Sequence, residues 1–169
     1  MRINRITLNN FRIYGGHNSI RFFDDEKKNV HIVTGYNGYG KTTFLTSLVW
    51  CLYGKGMQDV EETFNKSIID SGGYKKFLQE SLNKAARKNG ENDFYVELQI
   101  EGINIPGFNI DNLSIKRSFN GKDEKLDITI DGDFNELVSE VGQEMFIQDF
   151  ILPREIAKFF FFDAEKITS

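Results

Sequence analysis

The sequence predicts an α/β fold. Three observations carry that expectation. A glycine-rich loop lies between a short apolar strand and a helical pattern, hydrophobic periodicity switches from helical to alternating after residue 90, and three alternating segments follow with turn residues between them. With 169 residues, 40% hydrophobic and 27% charged, the chain suits one domain, residues 1–169, with a sizeable core.

The elements follow in order. Ile6 and Leu8, then Ile20 and Phe22, alternate with polar residues and predict two strands joined across Gly15-Gly16. Val30–Thr34 reads as a short apolar strand feeding the loop. Phe44, Leu45, Leu48, Val49 and Leu52 then keep helical spacing, with Gly54 as the stop. A short helix is expected near Asp59–Phe64, then a turn at Ser71-Gly72-Gly73. Tyr74–Lys88 reads as one amphipathic helix with Phe77, Leu78, Leu82, Ala85 and Ala86 on its apolar face.

Phe94, Val96, Leu98 and Ile100 alternate with polar neighbours, as do Leu113, Ile115, Arg117 and Phe119, and then Leu126, Ile128 and Ile130. With turns at Pro106-Gly107, Asp111-Asn112 and Asn120-Gly121, this predicts an antiparallel meander with one buried face, closed by Asp131-Gly132. Asp133 and Glu136 form a capping-box pattern before a helix carrying Phe134, Leu137, Val138 and Val141. A second helical piece carries Met145, Phe146 and Phe150, and Pro153 opens a last short helix at its first position.

Composition narrows the function classes. A formal net charge of −4 excludes a surface that is basic as a whole, leaving only a local basic patch as a nucleic-acid footprint. The lone Cys51 sits in an apolar run and reads as a buried free thiol. One cysteine makes no internal disulfide, which points to a reducing cytoplasm. The N-terminus has no signal-peptide pattern, and no stretch approaches the ~20 apolar residues of a membrane span.

Residues 35–42, GYNGYGKT, match G-x-x-x-x-G-K-[ST]. Glycines let the backbone turn so that N–H groups converge on phosphate oxygens, and the following helix adds its positive end. Asn37, Gly38, Tyr39, Gly40, Lys41, Thr42 and Thr43 are thus the candidate ATP-binding residues. Lys41 is the group expected on the β- and γ-phosphates, and the Thr42 hydroxyl is expected in the Mg²⁺ shell. An accidental glycine turn would not need this strand–loop–helix context. A phosphate loop argues for nucleotide binding more firmly than for hydrolysis.

The segment FFFFDAEK, residues 159–166, is open to three readings. As a Walker B strand it would put Asp163 on Mg²⁺. The usual following carboxylate is then missing, because Ala164 stands there and Glu165 would face the other way. As a Q-loop region it would bring Asp163 near Mg²⁺ and the γ-phosphate. As a plain apolar strand it would only pack.

The order RITLNNFR, GxNGxGKT and a helix ending in LYG resembles the N-terminal half of SMC-like ATPase heads of the ABC class. NNFRIYGG, WCLYGK, GGYKKFLQESLNKAARKNG and ILPREIAKFFFFDAEKI together resemble the DndD family, ATPases of bacterial DNA phosphorothioation systems. That family typically reads D-G-E-K-I where this chain has Ala164, and related defence ATPases share the segment.

The resemblance implies a P-loop NTPase fold, specifically an N-terminal lobe running from P-loop to Q-loop and cut before a coiled coil. It implies ATP and Mg²⁺ as ligands, Lys41 and Asp163 in catalysis, Thr42 and Asp163 on the metal, and Arg12 near the phosphates. It also implies partners: the C-terminal half of the same head, a second head in an ATP-dependent dimer, DNA and other DNA-modification subunits. Another defence or DNA-repair ATPase, or a nucleotide-dependent clamp without turnover, stand as alternatives.

Other candidates have plainer readings. Ser71-Gly72-Gly73 lacks the leading leucine of an ABC signature and reads as a turn. His17 and His31 have no ligand-type companions at metal spacing, and His31 is expected to pack within its strand. Lys75, Lys76, Lys84, Arg87 and Lys88 make one helix face basic, either solvated or set against DNA phosphates. No nucleophile–base constellation is visible.

Overall fold

The computed structural model describes residues 1–22, 30–36, 38–105 and 108–161. Five strands, β1 (Arg2–Phe11), β2 (Tyr14–Arg21), β3 (Phe94–Ile105), β4 (Phe108–Phe119) and β5 (Glu124–Ile130), form one antiparallel sheet in the order β2-β1-β3-β4-β5. The predicted meander is β3-β4-β5, and β1 pairs back on β3 to join it to the N-terminal hairpin. Alternation sorts the faces: Ile6, Leu8, Val96, Leu98, Leu113, Ile115 and Ile128 are fully buried on one of them.

Helix α1 (Lys41–Tyr53) packs across that apolar face, against β3 and β4. In its second half Val49, Trp50, Cys51, Leu52 and Tyr53 are all buried, as a helix enclosed on every side requires. Trp50 stacks on Phe11 at 5.7 Å between ring centres and meets Phe94 at 5.1 Å. The Cys51 thiol lies 3.4 Å from the carbonyls of Val96 and Ile115, and burial pushes its pKa up to about 12. Gly54 stops the helix, its N–H returning to the Trp50 carbonyl, and a 3₁₀ segment continues over Gly54–Asp59.

Helices α2 (Glu62–Asp70), α3 (Tyr74–Ser81) and α4 (Lys84–Lys88) follow, with α2 and α3 separated by the expected Ser71-Gly72-Gly73 turn. After the sheet come α5 (Glu136–Val141), α6 (Gln143–Phe146), a π-helical turn over Ile147–Ile151 and α7 (Arg154–Ala157).

Several expectations need correction. Val30–Thr34 is not a strand. Among the described residues no sheet neighbour takes up its backbone groups, and Val30 and Ile32 are 76% and 80% exposed. His31 is exposed rather than packed in a strand, with its ring 5.1 Å from that of Phe22. The first hairpin turns at Arg12-Ile13, and Gly15-Gly16 lie inside β2. Asp111-Asn112 is no turn, because β4 runs through it.

The helix expected over 74–88 breaks at Leu82-Asn83. Leu82 adopts an extended conformation to bridge Phe11, and the Asn83 side chain caps α4 by accepting from the N–H groups of Ala85 and Ala86. Ala85 is therefore exposed. Asp133 does not cap α5, since its backbone pairs with Ile130 across the Asp131-Gly132 turn and the helix starts at Glu136. Pro153 stands just before α7 rather than at its first position.

Phe159–Phe161 continue α7 as turns, with the Phe160 and Phe161 N–H groups both on the Ala157 carbonyl. Over those residues neither a Walker B strand nor a plain apolar strand forms. No helix of the described residues is long and apolar enough to cross a membrane.

Candidate functional site

The glycine-rich loop runs into the N-terminus of α1. Gly38 and Gly40 take φ of 83° and 97°, left-handed values that a side chain would disfavour. Tyr39 N–H donates to the Tyr36 carbonyl at 3.2 Å, a tight turn within the loop. Gly40 stands at the cap position with no side-chain cap, and the first turn of α1 holds no acidic residue. The first turn of α1 therefore brings no carboxylate of its own to its free N–H groups, and the helix end is suited to an anion.

Lys41, half-buried, folds its ammonium back over the loop. Its Nζ donates to the Gly35 carbonyl at 2.7 Å and to the Tyr36 carbonyl at 3.2 Å. Both acceptors are neutral, so a phosphate oxygen offers the same nitrogen a stronger, charge-assisted bond. Thr42 is exposed, with its carbonyl taken by the Thr46 hydroxyl at 2.7 Å, and Thr43 is half-buried beside it. The loop's donors, its positive cap and the Thr42 hydroxyl fit a Mg²⁺-bound triphosphate. Tyr36 and Tyr39 are 82% and 72% exposed and meet edge-on at 5.9 Å.

Arg12 lies in the β1–β2 turn with φ of 52°. Its guanidinium lies over the Phe77 ring at 4.9 Å, and its Nε is 3.4 Å from the Ser81 hydroxyl. Burial lowers its pKa, opposed by the nearby Glu80 carboxylate. In this conformation Arg12 is engaged with α3. Asn37 and Asp163 lie outside the described residues. Among the described residues no group of three His, Cys, Asp or Glu side chains is arranged to hold a metal. Lys75, Lys76, Lys84, Arg87 and Lys88 are all exposed.

Two residues bear on the site without having been singled out from the sequence. The Tyr14 hydroxyl donates to the Gly40 carbonyl at 3.2 Å. Nothing in the local pattern signals that contact.

Arg117 is 3% exposed and closes the far end of α1. Its Nε donates to the Cys51 carbonyl at 3.0 Å and Nη2 to the Leu52 carbonyl at 3.2 Å. Its Nη1 lies 2.9 Å from both Glu124 and Glu144. Burial disfavours the charge, but the hydrogen bond and charge of Glu144, with Glu124, outweigh it and raise the pKa. Tyr74 bonds Glu124 at 2.6 Å and accepts from Trp50 Nε1 at 3.0 Å, completing a network. The signal was available: a charged residue stands at an inward position of an otherwise apolar alternation.

A family model described as an AAA domain matches residues 5–168. No curated protein matches the chain.

Proposed function

The chain belongs to the AAA domain family, and on that premise we propose that it binds and hydrolyses ATP as part of a DNA-associated, SMC-like ATPase of the DndD type. The observation that carries the nucleotide reading is the Gly35–Thr43 loop. It combines left-handed glycines, an uncapped helix start and a lysine that, among the described residues, is held by the neutral carbonyls of Gly35 and Tyr36. ATPase domains of this family bind ATP with Mg²⁺.

In the proposed complex the loop amides hold the β-phosphate, Lys41 neutralises the β- and γ-phosphate oxygens, and the Thr42 hydroxyl sits in the metal shell. Mg²⁺ held beside the Thr42 hydroxyl would supply neutralising charge to the phosphate oxygens. Asn37, Thr43 and Arg12 complete the nucleotide contacts, and Asp163 approaches the metal from a Q-loop. For Arg12 this requires release from Phe77 and Ser81.

Turnover in this reading needs carboxylates and a signature motif from the complementary half-head and from a second head. Support for a complementary half comes from Val30, Ile32 and Val33, β-branched residues 76%, 80% and 48% exposed just ahead of the loop. Such residues favour a sheet, and a strand supplied by a partner lobe would cover them. The DndD assignment and the link to DNA rest on sequence resemblance, to which the exposed basic faces of α3 and α4 add charge of the right sign.

Two measurements test the proposal. The chain alone is expected to bind Mg-ATP without sustained turnover, and turnover that survives Lys41→Ala argues against the assigned site. Deleting the gene is expected to remove phosphorothioate dinucleotides from digested host DNA. Their persistence in mass spectra counts against a modification role.

A further inference from the structure

The turn joining β1 and β2 rests on the phosphate loop. The Tyr14 hydroxyl donates to the Gly40 carbonyl at 3.2 Å, and the same oxygen accepts from Phe44 N–H at 2.8 Å. Ile13 also packs on Gly40, so close that a Cβ there would meet its Cδ1 at 2.3 Å. A trans peptide is planar, with its C=O and N–H pointing in opposite directions. Holding the Gly40 oxygen from two sides therefore fixes the direction of the Lys41 N–H, a donor at the start of α1.

The turn is itself held hard. Asn10 and Arg12 both take φ of 52°, a left-handed conformation that non-glycine residues keep only where their surroundings impose it. Here they do. Arg12 N–H donates to the Ser81 carbonyl at 2.7 Å, and Asn83 Nδ2 donates to the Arg12 carbonyl at 2.6 Å. Asn83 N–H reaches the Asn10 carbonyl and Gly16 N–H reaches Asn10 Oδ1, both at 2.8 Å. Burial raises the Tyr14 pKa, which keeps its phenol protonated and able to donate.

We propose that Tyr14 is a positioning residue for the phosphate loop, acting through the Gly40 carbonyl on the Lys41 amide. The inference rests on the reading that residues 35–43 hold a nucleoside triphosphate. Because the loop reads phosphates, the contribution of Tyr14 is independent of the base.

Tyr14→Phe keeps the ring and removes only the hydroxyl. Calorimetric titration with Mg-ATP and, separately, with magnesium tripolyphosphate is expected to show both ligands bound about two- to tenfold more weakly, the worth of one hydrogen bond. The thermal midpoint of the ligand-free chain should barely move. Unchanged affinity for both ligands, beside a Lys41→Ala chain that has lost them, overturns the role of Tyr14 and leaves the nucleotide site standing. Weaker binding accompanied by an equal loss in the ligand-free midpoint also overturns it, in favour of a structural role. A wild-type chain that binds neither ligand overturns both readings. Should Tyr14→Phe fail to fold, Tyr14→Leu removes the same hydroxyl and keeps an apolar side chain there. Weaker binding of both ligands then supports the proposal, and unchanged binding overturns it.

Discussion

Replacing Arg117 by methionine keeps much of the buried volume and removes the guanidinium from the end of α1. Four acceptors lose a donor: the carbonyls of Cys51 and Leu52 and the carboxylates of Glu124 and Glu144. The carbonyls belong to the last turn of α1, and each buried group left unsatisfied costs about 1–3 kcal/mol. Glu124 is only 19% exposed and, among the described residues, would keep the Tyr74 hydroxyl as its partner, an uncompensated charge in a half-buried place. Glu144, 61% exposed, regains water and contributes little. Breaking a buried ion pair from one side costs about 3–5 kcal/mol, and that is the loss expected here.

For a domain of this size that is roughly 6–20 °C in midpoint, a large part of a typical total stability. Urea unfolding followed by Trp50 fluorescence reads it directly, since Trp50 is fully buried and bonds Tyr74 within the same network. Glu144→Gln in parallel should lose less than about 1 kcal/mol, as expected of an exposed partner. An Arg117→Met loss below about 1 kcal/mol at unchanged denaturant slope would refute this account of α1 anchoring.

Two further outcomes follow from the same contacts. Cys51 should resist thiol reagents in the folded chain at neutral pH and react only on unfolding, since burial holds its pKa near 12. The sign for stability is fixed by the raised value. The protonated thiol favours the fold fully below its ordinary pKa of about 9, and that contribution is lost as pH climbs from about 9 to about 12. Cys51→Ser should flatten this alkaline limb, read by urea midpoints across the range. Gly40→Ala should abolish nucleotide binding in a calorimetric titration, because a Cβ there meets Ile13 and the Tyr14 hydroxyl at 2.3 and 3.1 Å and φ is 97°. Binding that persists would mean the loop adopts another path.

Local patterns were legible where local chemistry decides. The meander follows from the alternation of Phe94–Ile130, and the phosphate loop follows from its glycines and Lys41. Long-range partners decided the rest. Val30–Thr34 has the composition of a strand, but a strand forms only beside another, and none is present among the described residues. The break at Leu82-Asn83 exists because Phe11, far earlier in the chain, offers Leu82 a bridge and Asn83 can cap a new helix. The hairpin turns at Arg12-Ile13 rather than at the glycines because Ser81 and Asn83 bind Arg12's backbone. Of the candidate site residues, Gly38 to Thr43 run from the loop into the first turn of α1, whereas Arg12 leans on α3.

The central claim is that Lys41 and the loop before α1 hold a nucleoside triphosphate. The most direct test is calorimetric titration of the 169-residue chain with Mg-ATP, beside Lys41→Ala. Removing a charge-assisted phosphate contact is predicted to weaken binding about ten- to hundredfold, with the fold intact by Trp50 fluorescence. Equal affinity in the two chains, or no binding by the wild type, would contradict it.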